Sequence, residues 1–205
     1  MIKPNIALIG KMGSGKTLIA NTLTEQHGYT RISLADGVRD VAALAYGTIY
    51  YNEEYDVDRG DRIETVTGRQ VLQRLGSDAI RDQMDKNFWV LTLFRKLRMN
   101  PNGGPWVVDD CRFDNEVSIL RANGWLTVQV KVDEDTRLER IHRLYPEASE
   151  ETLTHQSESG LTGAPIDIAI WNTTPDVRKT VQMLMETAAN RAEQDLMRAR
   201  LAKNV

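Results

Sequence analysis

The sequence predicts an α/β protein of three layers, in which helices cover both faces of a parallel five-stranded sheet. Short apolar segments of strand length alternate along the chain with segments whose apolar residues recur at helical spacing. Strands separated by helices are joined by right-handed crossovers, so they run parallel to one another. The 205 residues are enough for a single domain with an inserted part.

The predicted elements follow each other in regular order. Apolar runs predict strands at residues 5–9, 29–34, 106–110, 125–132 and 166–171. Helical spacing predicts helices at residues 16–23, 37–46, 69–84, 87–99, 115–123, 134–144 and 175–204. Residues 50–68 show neither period, and we expect an irregular polar excursion there.

Charge and composition exclude several classes of protein. The 26 Lys and Arg residues against 29 Asp and Glu give a net charge of −3, without a basic block, which argues against a nucleic-acid polymer as partner. Arg outnumbers Lys 18 to 8, and the guanidinium group suits forked contacts with phosphate. The single cysteine, Cys111, cannot form an intrachain disulfide, and no apolar run is long enough to span a membrane. We therefore expect a cytoplasmic protein with no membrane partner.

Residues 10–17 match the pattern G-x-x-x-x-G-K-[ST] between a predicted strand and a predicted helix, the context that this P-loop motif requires. Its glycines allow backbone N–H groups to turn around a polyphosphate at a helix N-terminus. We predict that Lys16 reaches the β- and γ-phosphates and that the Thr17 hydroxyl ligates Mg²⁺. The motif thus predicts a P-loop NTPase fold with ATP and Mg²⁺ as cofactors, and leaves the reaction open.

One reaction that the P-loop allows is phosphoryl transfer by a small kinase. Such an enzyme also needs a site for the acceptor of the phosphoryl group. Arg39, Arg69 and Arg112 follow predicted strands or open a predicted helix, where ligands of open α/β sheets bind. Asp109 and Asp110 end a predicted strand, as does a carboxylate that holds Mg²⁺ or its water shell. We assign that role to Asp110, because alternation along an extended chain places it on the same side as Arg112.

Arg137, Arg140 and Arg143 lie three residues apart on a predicted helix and so share one face. They precede an irregular stretch where a lid could bring cations to the transferring phosphoryl group, although nearby acidic residues could simply pair with them. An acceptor phosphate is already ionised at pH 7 and needs no catalytic base. A hydroxyl acceptor would need one, and Asp36 is the candidate.

In five places the sequence resembles the deoxynucleoside monophosphate kinases of tailed phages. The matching places are residues 10–17, 34–39, 68–78 with 88–90, 107–112 with 115–116, and 154–161 with 166–172. The resemblance implies transfer of the γ-phosphoryl group of ATP to a dNMP, with Mg²⁺, in the host cytoplasm if the chain is phage-encoded. It also implies a monophosphate-binding part at about residues 36–90, a lid at about 140–165 and a C-terminal helix at about 175–204.

The resemblance further implies site residues, position by position. ATP would be bound by Lys11, Gly13, Ser14, Gly15, Lys16 and Thr17. The deoxynucleotide would be bound by Asp36, Arg39, Arg69, Gly76, Trp89, Asp110, Arg112 and Glu116. Trp89 could stack on a base or be a core aromatic, and Glu116 could accept from a base or orient Arg112. The catalytic groups would be Lys16, Asp110, Arg112 and Arg140, and the metal ligands Thr17 and Asp110.

Some positions depart from that family. The excursion at residues 50–68 is shorter than in the T-even-type enzyme, so base preference is not carried over. The tail beyond Ala188 has no counterpart, and its residues 190–204 form a predicted amphipathic helix. That amphipathic tail could make a homodimer contact or be a solvated extension. Two other functions stay open: a kinase for another small acceptor, such as dephospho-coenzyme A, and a P-loop ATP-binding protein that is not a kinase.

Overall fold

Five strands form a parallel sheet in the computed structural model of the protein, which describes residues 3–144, 163–174 and 176–202. The strands of this sheet are β1 (Ile6–Ile9), β2 (Thr30–Arg31), β5 (Trp106–Val108), β6 (Leu126–Lys131) and β7 (Ile168–Trp171), while β3 (Glu54–Asp58) and β4 (Ile63–Thr67) form a separate hairpin. Their order is β2-β5-β1-β6-β7, and every pairing is parallel. The predicted three-layer α/β class with a five-stranded parallel sheet is confirmed.

The central strand β1 organises the core. All four of its residues are buried, as expected for a strand covered on both faces. The core cluster joins this strand to its neighbours in the sheet and to the helices α1 (Lys16–His27) and α7 (Val177–Ala202), through Ile6, Leu8, Ile19, Leu23, Val107, Val128, Val181 and Leu184. None of the helices in the described part of the chain could cross a membrane, since none is both long and apolar enough.

The chain divides into two compact units. Unit 1 comprises Met1–Ile32 and Asn102–Val205 and contains the sheet, α1, α5 (Asp114–Ala122), α6 (Glu134–Leu144) and α7. Unit 2 comprises Ser33–Pro101. Its elements are α2 (Ala35–Tyr46), β3 (Glu54–Asp58), β4 (Ile63–Thr67), α3 (Gly68–Gln73), a π-helix (Arg74–Arg81) and α4 (Phe88–Met99).

The prediction of an irregular excursion at residues 50–68 is wrong, because β3 and β4 pair there as an antiparallel hairpin. Arg74 and Arg59 both donate to the Glu64 carboxylate, and these hydrogen bonds lower the pKa of Glu64 to about 2. The hairpin is hard to detect because Val66 is the one buried residue of its two strands, and the alternation of polar and apolar residues in β3 does not continue in β4.

The helix predicted at residues 69–84 is two elements. α3 ends at Gln73 and continues as the π-helix, which packs Gly76 against Val38: a Cβ on Gly76 would lie 3.2 Å from a methyl group of Val38. The spacing of apolar residues over eight positions does not separate an α-helix from a wider helix, so the sequence could not show this change.

Asp167 connects four elements of unit 1. Its carboxylate, just before β7, accepts hydrogen bonds from Arg121 of α5, Arg191 of α7 and both the N–H and hydroxyl groups of Thr127 in β6, at 2.7–3.1 Å. Burial raises the pKa of Asp167, but the hydrogen bonds from Thr127 and Arg121 and the charge of Arg191 outweigh it, so the net shift is downward. The ionised carboxylate therefore stabilises the fold.

We expect Asp167→Asn to reduce the free energy of unfolding at pH 7 by about 1–3 kcal/mol, less than a fully buried pair would cost because both arginines are partly exposed. Because the folded-state pKa of Asp167 is lowered, this stabilisation is present above the unfolded pKa, at about 3.9, and is lost as the pH falls towards the folded value. Urea denaturation of both proteins at pH 7 and pH 3 measures it. A difference that is as large at pH 3 as at pH 7 would contradict this prediction.

Candidate functional site

The P-loop, residues 10–17, connects β1 to α1. Gly13 and Gly15 have φ angles of +81° and +92°, which residues with a Cβ rarely adopt. Gly15 is the N-cap of α1, and no side chain of the described residues caps this helix or places an acidic group in its first turn. This end of α1 is therefore suited to an anion.

The Lys16 side chain folds back over this loop. Its Nζ donates to the carbonyl oxygens of Gly10 at 2.5 Å and Lys11 at 3.0 Å. The structure thus has the predicted ATP-binding residues in one turn, with an ammonium group beside the N-terminus of α1. A triphosphate is the kind of ligand that this arrangement suits.

Asp109, and not the residue that we chose from the sequence, meets the P-loop threonine. The Thr17 hydroxyl donates to Asp109 Oδ2 at 2.8 Å, and the Arg31 guanidinium donates to both carboxylate oxygens at 2.8 and 2.9 Å. β5 ends at Val108, so Asp109 is the first residue beyond the strand, and its side chain is 2% exposed. The carboxylate in contact with Thr17 is thus that of Asp109, and the assignment of Asp110 to the metal stays a prediction.

Asn172 supports the P-loop from the end of β7. Its side-chain amide donates to the Ser14 carbonyl at 2.9 Å, and its own carbonyls accept from Arg140 at 2.9 Å and from the Thr180 hydroxyl at 3.4 Å. A Cβ on Gly15 would lie 2.2 Å from the Asn172 amide nitrogen. Close packing on Asn172 therefore requires glycine at position 15, in addition to the backbone angle.

Helix α6 supports the P-loop at a second point. A Cβ on Gly13 would lie 2.9 Å from both the Arg137 carbonyl oxygen and a side-chain carbon of Ile141. Arg137 is buried, donates to the Met12 carbonyl at 3.3 Å and pairs with Glu134 at 2.6 Å, which lowers the pKa of Glu134. Two of the three arginines expected at a lid, Arg137 and Arg140, thus contact the P-loop or its support.

The third arginine, Arg143, is exposed near the end of α6. Most of the lid expected at residues 140–165 lies outside the described residues, since residues 145–162 are not among them.

The segment after β5 holds two further site candidates, Arg112 and Glu116. Glu116 is buried in the first turn of α5, where its carboxylate accepts from the backbone N–H groups of Arg112 and Phe113 at 2.8 and 3.1 Å. Glu116 therefore orients the Arg112 backbone and caps α5, which gives it a structural function. The Arg112 side chain is exposed. Burial raises the pKa of the neighbouring Cys111 thiol well above its usual value, so this thiol is not a nucleophile at neutral pH.

Unit 2 contains the other expected acceptor residues. Arg39 pairs with Asp36 at 3.1 Å, and Asp36 also accepts from the backbone N–H of Ser33. Arg69 is exposed in the first turn of α3, after the capping residue Thr67.

Trp89 and Gly76 belong to the interior of unit 2. The Trp89 side chain is buried, its indole N–H donates to the Gly76 carbonyl at 2.7 Å, and its ring would lie 3.0 Å from a Cβ on Gly37. Of the two roles left open for Trp89, the core aromatic agrees with this geometry. Gly76 serves the packing of the π-helix against α2, so neither residue offers a surface to a ligand.

Sequence reasoning missed Arg31 and Asn172. A charged residue within the predicted strand at residues 29–34 was one available signal, since a short strand beside β5 can direct such a side chain towards the carboxyl end of β5. Asn172 follows the last predicted strand directly, at the sheet edge where ligands of α/β proteins bind.

Together, the parallel sheet and the P-loop define a nucleotide-binding protein with the fold of P-loop kinases. The chain belongs to the AAA domain family, whose sequence profile matches residues 6–158. Members of this P-loop class use ATP and usually Mg²⁺. No curated protein matches the sequence.

Two solved structures share the fold over nearly the whole chain. A gluconokinase from Sinorhizobium meliloti 1021 has 18% identity and a TM-score of 0.57, with 96% of this chain and 97% of that chain covered. A shikimate kinase from Acinetobacter baumannii, in complex with shikimate, has 13% identity and a TM-score of 0.56, with 92% and 94% covered. Similarity at this level of identity establishes the fold and not the substrate.

We expect Asn172→Ala to weaken ATP binding about ten-fold, because the Ser14 carbonyl loses its amide donor and the P-loop loses a fixed support. Isothermal titration of ATP into the purified protein measures the effect. Asn123→Ala is the matched control, since the Asn123 amide also donates to a backbone carbonyl, at 2.8 Å on α5. Equal ATP affinity in the two variants would show that Asn172 does not support the loop.

Proposed function

We propose that the protein is a deoxynucleoside monophosphate kinase, which transfers the γ-phosphoryl group of ATP to a dNMP and forms ADP and dNDP. The observation that carries this proposal is the P-loop with Lys16 and the Thr17–Asp109 hydrogen bond, in the fold of P-loop kinases. The choice of acceptor rests on the resemblance to the phage enzymes. The exposed arginines Arg69 and Arg112 support an anionic acceptor.

In this proposal the P-loop binds the triphosphate of ATP. Lys16, which now donates to two loop carbonyls, would transfer these hydrogen bonds to phosphate oxygens. Bound Mg²⁺ would neutralise charge on the phosphates. The chemistry of Thr17 suits this ion: its hydroxyl proton is donated to Asp109, which leaves the oxygen lone pairs for a metal.

The distribution of ion pairs supports Arg69 and Arg112 as acceptor ligands. Most arginines of the described residues pair with a carboxylate, whereas the structure gives no such pair for Arg69 or Arg112 within the described ranges. The exposed arginines Arg95, Arg98 and Arg143 share this property, so position must distinguish the candidates. Arg69 opens α3, and Arg112 follows the carboxyl end of β5, where α/β proteins bind ligands.

A monophosphate acceptor also agrees with the state of Asp36. The second pKa of a phosphate monoester is near 6, so the attacking oxygen is ionised at pH 7 and requires no base. Asp36, the candidate base for a hydroxyl acceptor, is already hydrogen-bonded to Ser33 and Arg39. Catalysis would then depend on alignment and charge neutralisation.

We expect ADP release from ATP and Mg²⁺ to be stimulated by at least one dNMP. The decisive measurement is a coupled assay with a panel of dNMPs and NMPs, and with gluconate, shikimate and dephospho-coenzyme A as hydroxyl acceptors. Lys16→Ala is the control for contaminating kinases, because loss of the P-loop lysine should abolish turnover without unfolding the protein. Stimulation by a hydroxyl acceptor alone, or by no acceptor, would refute the proposal.

We expect Arg69→Ala to lower kcat/KM for the acceptor about 10- to 100-fold, the value of one or two charge-assisted hydrogen bonds to phosphate. The affinity for ATP should not change. Arg98→Ala is the control, since Arg98 is also an exposed arginine on a helix of unit 2. A change in ATP affinity with unaltered acceptor kinetics would show that Arg69 acts on ATP binding and not on the acceptor.

A further inference from the structure

Arg31 forms an ion pair with Asp109, the carboxylate next to the P-loop. Its Nε donates to Asp109 Oδ1 at 2.9 Å, and its Nη2 donates to Asp109 Oδ2 at 2.8 Å, in the forked geometry that arginine forms with carboxylates. The Asp109 side chain is 2% exposed and that of Arg31 is 40% exposed. A carboxylate removed from water is thus neutralised by a cation that is itself partly solvated.

Three hydrogen bonds nearly saturate Asp109. A carboxylate has about four lone-pair sites, two on each oxygen. Oδ2 accepts from both Thr17 and Arg31, so both of its sites are used, and Oδ1 accepts from Arg31. A metal could bind Asp109 directly only by displacing a donor or by taking the one site left on Oδ1.

Thr17, in contrast to Asp109, keeps its oxygen lone pairs available. Its single hydroxyl proton is donated to Asp109, which fixes the rotation of the hydroxyl, and both lone pairs of the oxygen remain. Mg²⁺ prefers oxygen ligands, gives up its water reluctantly and is usually held by few protein groups together with substrate phosphates. An oriented hydroxyl with both lone pairs available can serve as one of these few groups.

We propose that Arg31 is a positioning residue of the metal site: it keeps the Asp109 carboxylate occupied, so that Asp109 orients the Thr17 hydroxyl without binding the metal itself. The nucleotide-free protein then has little affinity for divalent cations, and the metal enters and leaves together with the nucleotide. The inference rests on the proposed use of Mg²⁺ at the P-loop and does not depend on which acceptor is phosphorylated.

Removal of Arg31 should therefore create affinity for a cation. In Arg31→Gln the Asp109 carboxylate keeps its negative charge but loses its neutralising partner and regains lone pairs beside the Thr17 oxygen. We expect the nucleotide-free variant to bind Mn²⁺ about ten-fold or more tightly than the wild type, because a nearby opposite charge is attracted strongly in a weakly solvated site. Mn²⁺ is the probe, since it accepts the same oxygen ligands as Mg²⁺ and its unbound fraction is measured by electron paramagnetic resonance.

Two variants locate the effect. Arg31→Gln combined with Asp109→Asn should return the Mn²⁺ affinity to the wild-type value, because the charge is removed. Arg121→Gln is the matched control, since Arg121 donates through Nε to a buried aspartate, Asp167, at 2.9 Å with comparable exposure. It should leave the Mn²⁺ affinity unchanged, because Arg191 still neutralises Asp167 and the site is not at the P-loop.

Arg31→Lys keeps the test valid if Arg31→Gln does not fold. Lysine retains the charge but cannot hold both carboxylate oxygens in a fork, so its Mn²⁺ affinity should lie between those of the wild type and Arg31→Gln. Wild-type Mn²⁺ affinity in each folded Arg31 variant would overturn the proposal. So would tight binding that persists in the double variant. These measurements use no acceptor, so their failure is distinguishable from a failure of the kinase assays.

Discussion

The close contact of the P-loop with α6 and Asn172 is the constraint on which the candidate site depends. Gly13 lies against the Arg137 backbone and Gly15 against the Asn172 amide, at distances that leave no room for a side chain at either position. The loop therefore takes its shape from the protein before any phosphate arrives. A cradle formed in advance does not lose binding free energy to ordering its N–H groups, which favours both affinity and alignment.

This support also explains how the protein uses its arginines. An excess of Arg over Lys, 18 against 8, could reflect codon bias or phosphate binding. Arg31, Arg137 and Arg140 instead hold parts of the site in place, through Asp109, Met12 and the Asn172 carbonyl. Planar guanidinium groups with several donors suit this purpose, because one side chain can fix two acceptors at once. These arginines therefore bind neighbouring groups of the protein itself.

Strand and helix positions in unit 1 could be predicted because each apolar run there faces a common core. The central strand at residues 5–9 and the helix at residues 134–144 are examples, and the structure has them at Ile6–Ile9 and Glu134–Leu144. The hairpin of unit 2 was not predicted because only one of its strand residues, Val66, is buried. Its strands are held instead by cross-strand hydrogen bonds and by arginines around Glu64, contacts that a pattern of apolar residues does not reveal.

Among the site residues, those whose chemistry is local in sequence could be predicted, and those brought together only by the fold could not. The P-loop could be located because its chemistry is local in sequence. The choice between Asp109 and Asp110 depends on where β5 ends, which sequence patterns define only to within a residue or two. Arg31 lies 78 residues from Asp109, and Asn172 lies 158 residues from Ser14, so these contacts exist only once the sheet is assembled. Trp89 illustrates the reverse case, in which chemistry suited to a ligand is used by the core.

The burial of Cys111 has a practical consequence. It is the only cysteine in the sequence, and its thiol is buried and protonated at neutral pH, so maleimide reagents should react with it slowly. A cysteine introduced at an exposed position such as Leu44 in unit 2 or Met183 in unit 1 would then take up a label selectively. The native chain is therefore a ready background for placing a single fluorescent or spin label in either unit.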